Sequence, residues 1–417
     1  DGGFTWTITQ FNPTNLGNGG LGSNFQILEM AYHPNVANLI FIGTNAGFYR
    51  STNNLQSWTL LLPGTDISEI AFHPTNNNVM YVYDNYYWGS NHDRALISND
   101  MGLTFSNSAT VAGNNGNRSV ELVTTPDCPN CLFFASSNGV WRSSDMAQSF
   151  TYLNNPNQGC GGFAVSDLDE DKMVYGYLDL ERTLNGGQTF EQTTWWSLGN
   201  TNGAGNGHHQ SYNTSTDYIH ADLRNAKSVN GNFYVATDGF LTKSTDNGTT
   251  WSVLTEGVGT RENYNIGLSQ SHHYRSVTGS QDNGTSLKTK DGWVEVYGAD
   301  GMEAIIHPLN PDYFIGSVQY GNRIRSLNGG LNVSGSSPSG STGAYWIAPM
   351  VYDPNDHMVV YDFRDTVYRS DDFASTHTKL GSPSFSGDIT FAEIAQNNSD
   401  ILVGVKNDLI EKSMDGG

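Results

Sequence analysis

The chain has 417 residues, with 20 Lys and Arg against 41 Asp and Glu, for a formal net charge of −21. Such an acidic chain argues against a nucleic-acid backbone or an anionic membrane as partner. No apolar run approaches the roughly 20 residues of a membrane-spanning helix. Only 15% of the residues are charged, whereas Gly alone numbers 47 and Asn, Ser and Thr abound, a composition that fits turn-rich β structure.

In chain order, one short motif sets the pace. Ser98-Asn-Asp100-Met-Gly102-Leu-Thr104-Phe105, Thr183-Leu-Asn185-Gly-Gly187-Gln-Thr189-Phe190 and Ser244-Thr-Asp246-Asn-Gly248-Thr-Thr250-Trp251 share one spacing. In each, an Asp or Asn caps its own backbone, Gly takes a positive φ, and an aromatic opens the next strand. Looser copies run from Ser51, Ser143, Ser326 and Ser370, with Leu55, Ala147 or Ala374 in place of glycine. The chain opens on the back half of a copy at Asp1 and closes on the front half at Ser413. That pattern implies ring closure by the termini or a segment of a longer chain.

Between these turns, apolar residues alternate with a period of two. First strands are expected at Phe25–Tyr32, Ile67–Phe72, Ser119–Thr124, Gly162–Val165, Tyr218–Asp222, Tyr264–Ser269, Met302–Ile306, Tyr345–Tyr352 and Ile389–Ala395. Nine units near the 40–50 residues of a four-stranded blade predict an all-β single propeller spanning 1–417. A tenth blade is required if one unit has lost its turn or lies outside the segment. Four-stranded wiring puts the turns between second and third strands, and the connections to the next unit, on one face. Tyr86, Tyr87, Trp88, the Trp195–Tyr212 insertion, Asp238, Asp282 and Asp300 are expected on that face.

The repeated turn resembles the Asp-box of BNR-repeat and sortilin-like β-propellers. The Gln281-Asp-Asn-Gly turn and the Met302–Pro308 stretch also resemble secreted Bacteroidetes repeat proteins described as sortilin-like or glycosyl-hydrolase-like. The resemblance implies the fold and assigns no reacting residues, because such boxes lie outside propellers of unrelated activity. A matching stretch of xyloglucanase-type endoglucanases carries a catalytic Asp in Thr-Asp-x-Gly-Gly-x-Tyr-Arg. Here Thr44-Asn45-Ala46-Gly47-Phe48-Tyr49-Arg50 places at that point an asparagine, which cannot serve as acid or base. The arginine triad and Arg-Ile-Pro motif of sialidases are not evident.

These readings favour a secreted or cell-surface recognition and adhesion domain, non-catalytic, binding glycan or protein and joined to other domains. The aromatics Tyr86, Tyr87, Trp88, Trp195, Trp196 and Tyr212 are its expected ligand contacts, either stacking on sugar or packing long loops. The alternative is a divergent glycoside hydrolase using two of Asp238, Asp282, Asp300 and Glu303, one with a raised pKa in an open cleft. A sortilin-like peptide receptor is the third reading. No cofactor is required; Asp167, Asp169 and Asp171 are alternate carboxylates suited to a Ca²⁺-stabilised turn, although the spacing is not an EF-hand. Cys128-Pro-Asn-Cys131 reads as a local disulfide or two free thiols, with Cys160 unpaired.

Overall fold

The computed structural model describes residues 25–85, 93–114, 119–196, 216–254, 261–341, 343–381, 387–406 and 409–417. They form nine antiparallel sheets, eight of four strands and one of three, each running in sequence order as a meander. This is the all-β, multi-bladed, propeller-like architecture that the period of two requires. The chain divides into two compact units: one holds the first five sheets, the other the sheets from Asn263 onward.

The repeated turn builds itself from local bonds. Ser143 Oγ donates to Asp145 Oδ1 at 2.7 Å and accepts the Ala147 N–H at 2.8 Å. Asp145 in turn accepts the backbone N–H of Ser149 at 2.9 Å and its hydroxyl at 2.5 Å. That hydroxyl is the main reason the Asp145 carboxyl is held down to about 2. The fifth residue has positive φ in every copy: 75° at Gly102 and 78° at Gly248, but also 66° at Ala147 and 69° at Leu55. Where glycine is absent, a small or flexible residue tolerates the strained conformation because the flanking bonds fix it. Asp145→Ala is expected to cost about 1–2 kcal/mol in urea denaturation, the scale of a lost capping side chain; an unchanged midpoint would contradict this role.

Within each unit, first strands of consecutive sheets lie against one another. The first strands Ile27–Tyr32, Ile67–Phe72 and Val120–Thr125 carry Glu29, Glu69 and Glu121, and Leu223–Val229 carries Lys227. Burial pushes all three carboxyls up, Glu121 to about 7, with Lys227 opposing. A raised carboxyl keeps its proton in the folded chain while the unfolded chain has already lost it. The stability these three carboxyls contribute is therefore full below the ordinary Glu value near 4.5 and declines as pH rises toward 7. The melting temperature is expected to fall by several degrees between about pH 5 and pH 8, and Glu121→Gln to remove part of that slope; a flat or rising profile would contradict it.

The sheet interiors are apolar. In the third sheet, Leu132, Phe134 and Trp141 pack with Tyr81, Tyr83 and Ile97 of the second. Cys128 and Cys131 are joined as a disulfide, and Cys160 is buried and free. One expected strand is displaced: the first strand of the fifth sheet is Leu223–Val229 rather than Tyr218–Asp222. Asp222 adopts φ 58°, which ends any strand before it. No helix among the described residues is long and apolar enough to cross a membrane.

Candidate active site

Asp238 follows the second strand of the fifth sheet, Asn232–Thr237, where the four-stranded wiring places it. Both its oxygens are taken by Arg224, through Nε and through Nη2 at 2.6 Å. Asp222 lies beside the pair; its carboxylate is hydrogen-bonded to the Tyr177 phenol and pushes that phenol's pKa up. On the connection leaving the fourth sheet, the Trp196 N–H donates to Asp179 Oδ1 at 2.6 Å. Trp195 and Trp196 are 43% and 40% exposed. They lie outside any strand, so neither is turned into the core as alternating strand neighbours would be. Tyr86, Tyr87, Trp88 and Tyr212 lie outside the described residues.

In the second unit, two glycine turns interlock and bring Asp282 and Asp300 together. Asp282 lies between the strands Ser276–Ser280 and Gly284–Thr289, and Asp300 on the connection to the seventh sheet. Gly301 donates to Ser280 O and Gly284 to Ala299 O, both at 2.9 Å. A Cβ on Gly301 would lie 2.1 Å from Gly284 O, so the approach demands glycine. The Asp282 N–H then donates to Asp300 Oδ1 at 2.7 Å, and Gln319 Nε2 donates to Asp300 Oδ2.

Three residues beyond Asp300, Glu303 is 6% exposed at the start of the seventh sheet. Its N–H donates to Ser317 Oγ at 2.9 Å, fixing the backbone, and its Oε1 accepts from Asn265 Nδ2 and from Ala304 N–H. Burial pushes the carboxyl up to about 7, against the opposing pull of Arg323. Glu303 nevertheless lines a cavity of about 450 Å³ formed along the first strands of the last four sheets. Asn265, Gln270, Tyr352 and Glu393 line the same cavity, and Glu393 is exposed. The arrangement puts a carboxyl that keeps a substantial share of its proton near neutral pH and a second acidic side chain in one hollow. Glu393 had no sequence signal beyond its place in an expected first strand, Ile389–Ala395.

Asn45 does structural work: its Oδ1 accepts the Gln26 N–H at 3.0 Å. Two of the three carboxylates of the suggested calcium turn have partners of their own. Asp167 accepts from Ser228 Oγ and from the Asn230 and Gly231 N–H groups, while Asp169 accepts the Asp171 N–H. Among the described residues, the one set of three potential ligands within reach of a single ion is Cys128, Cys131 and Glu170. Two of those are already joined to each other.

No family model matches the chain. Among curated proteins it is similar to a probable oligoxyloglucan-reducing end-specific xyloglucanase of Neosartorya fischeri, 29% identical over 176 residues, covering 37% of this chain and 21% of that protein. It is also similar to a xyloglucanase of Hypocrea jecorina, 24% identical over 187 residues, covering 38% and 22%. The chain thus spans about a fifth of the length of these relatives. Among solved structures, the GH74 xyloglucanase from Xanthomonas campestris superposes with a TM-score of 0.63 at 11% identity, covering 93% of this chain and 62% of that one. An ancestral GH74 enzyme gives 0.53 at 13% identity, covering 91% and 68%. At these identities the structural likeness speaks for the fold.

These similarities correct the sequence reading. The relatives are xyloglucanase-type enzymes rather than sortilin-like or adhesive repeat proteins, so the non-catalytic assignment does not stand, and the Bacteroidetes and calcium associations gain no support from them. The physical reason lies in the box itself: it is a local turn solution on the outside of a sheet, and it carries no information about the chemistry inside.

Proposed function

We propose that this chain forms part of a glycoside hydrolase acting outside the cell on a neutral polysaccharide, with xyloglucan the first candidate because the curated relatives are xyloglucanases. The observation that carries the reading is Glu303, a buried carboxyl raised to about 7 that still faces an open cavity containing a second carboxylate. Glu303 donates its proton to the glycosidic oxygen as the bond to the anomeric carbon breaks. The Glu393 carboxylate stabilises the positive charge developing on the sugar and either attacks it or activates water. The net charge of −21 favours an uncharged polymer over a polyanion, and the extracellular setting is part of the proposal, resting on the same xyloglucanase relatives. Asp238 and Asp300 serve better as positioning groups, since Arg224 and Gln319 already occupy their oxygens.

The test is release of reducing ends from a panel of neutral polysaccharides, xyloglucan included. Cleavage of at least one is expected. Silence across the panel from folded protein would contradict the reading.

A further inference from the structure

Tyr320 stands out in the second unit. It occupies the turn between Phe314–Val318 and Asn322–Ser326, with φ 57°. A bulky aromatic in the left-handed region is strained, and such strain persists where the surroundings over-determine it. Here they do. The Tyr320 N–H donates to Trp346 O at 3.2 Å, and the two rings meet edge to face with centroids 5.2 Å apart. The next residue, Gly321, has φ 69°, a Cβ there would lie 2.9 Å from that of Ala348, and its carbonyl accepts from the buried Arg364. The ring gains little burial in return, since Tyr320 is 59% exposed.

Its surroundings have a definite chemistry. Trp346 Nε1 donates to the Tyr264 hydroxyl at 3.5 Å, and that hydroxyl donates to Gln281 Oε1. Gln319, adjacent in sequence, holds Asp300. Tyr345, 44% exposed, precedes Trp346. Fixed aromatic faces beside planar amide and carboxylate groups suit a pyranose, whose apolar face stacks while its hydroxyls pair with amides and acids. Asp282 and Asp300 supply negative charge, whereas Arg364 is buried beneath. A polyanion is therefore disfavoured.

We propose that Tyr320 and Trp346, with Gln281, Gln319 and Asp300, form a sugar-stacking subsite for a neutral polysaccharide. The proposal rests on the hydrolase reading for its ligand class. Neither ring was singled out in the sequence as a candidate contact, and the subsite is distinct from the cavity lined by Glu303.

The test uses the full chain carrying Glu303→Gln, titrated with xyloglucan oligosaccharides by calorimetry, then the same protein with Tyr320→Gly, Tyr320→Phe or Trp346→Ala. Tyr320→Gly removes the ring and also relieves the positive-φ strain, so it should melt no lower than its parent while binding about tenfold more weakly. Tyr320→Phe keeps the ring and should bind within about twofold. Undiminished affinity in both Tyr320→Gly and Trp346→Ala would overturn the subsite, as would a parent that binds no neutral glycan. Tyr320-dependent binding of polygalacturonate or of a basic peptide, in place of the neutral sugar, would overturn the occupant. Wild-type cleavage with affinity unaffected by Tyr320→Gly would sink the subsite and leave the hydrolase; Tyr320-dependent binding without wild-type cleavage would do the reverse.

Discussion

Glu303→Gln is expected to lower reducing-end release by a factor of about 10²–10⁴, the range contributed by a positioned acid, while leaving the chain at least as stable at pH 8. Glutamine preserves the shape and can still accept the Asn265 and Ala304 bonds, but it has no transferable proton. The stability side follows from the raised pKa. At pH 8, above about 7, the wild-type chain must hold a buried charge that burial disfavours, and the amide removes that cost. A merely structural carboxyl would give the stability gain without the loss of activity. Near wild-type turnover in this variant would therefore exclude Glu303 as the proton donor.

Asp362→Ala is expected to destabilise the second unit by about 3–5 kcal/mol, the cost of stripping one partner from a buried ion cluster. Arg323, fully buried at its side chain, donates to both Asp362 oxygens at 3.0 and 2.8 Å, and Arg364 donates to the same carboxylate at 3.2 Å. Arg323 also donates to Ala348 O and Pro349 O, which ties the seventh sheet to the connection entering the eighth. Removing Asp362 leaves two buried guanidinium groups facing each other. Burial alone pushes the Asp362 carboxyl up, but the two arginines more than offset it, and it ends below the ordinary Asp value. Its contribution is therefore present above about pH 4 and disappears as pH falls through the depressed folded value. The exposed pair Arg369–Asp371 is the control, expected within about 0.5 kcal/mol on removal. Urea denaturation of both variants decides the point; equal small effects would show that the cluster is not what holds these sheets.

What the sequence revealed and what it concealed divide along the range of the interactions. The Ser–Asp–Gly–Thr turn was legible because its bonds span four residues, as at Ser143, Asp145 and Ser149. The nine sheets followed from the period of two between those turns, and the placement of Asp238, Asp282 and Asp300 at strand ends followed from meander wiring. Glu303 was recognisable as a carboxyl near Asp300. Which of the four candidate acids carries a raised pKa was not legible, because at Glu303 that comes from burial among Asn265, Ser317 and Met350, which belong to three different sheets. Tyr320 sits where the wiring rule puts Asp238 in the fifth sheet, so the rule could have found it. Its left-handed backbone was invisible in the sequence. The family reading failed for a related reason: the most repeated residues in the chain build the outside of the sheets, not the cavity.

The pH dependence of reducing-end release tests the central claim most directly. With Glu303 as proton donor, kcat/KM on the cleaved polysaccharide falls tenfold per pH unit above an apparent pKa near 7. Glu303→Gln flattens that limb as well as lowering it. A wild-type profile level from about pH 6 to pH 9, or an alkaline limb that persists unchanged in Glu303→Gln, would contradict the assignment.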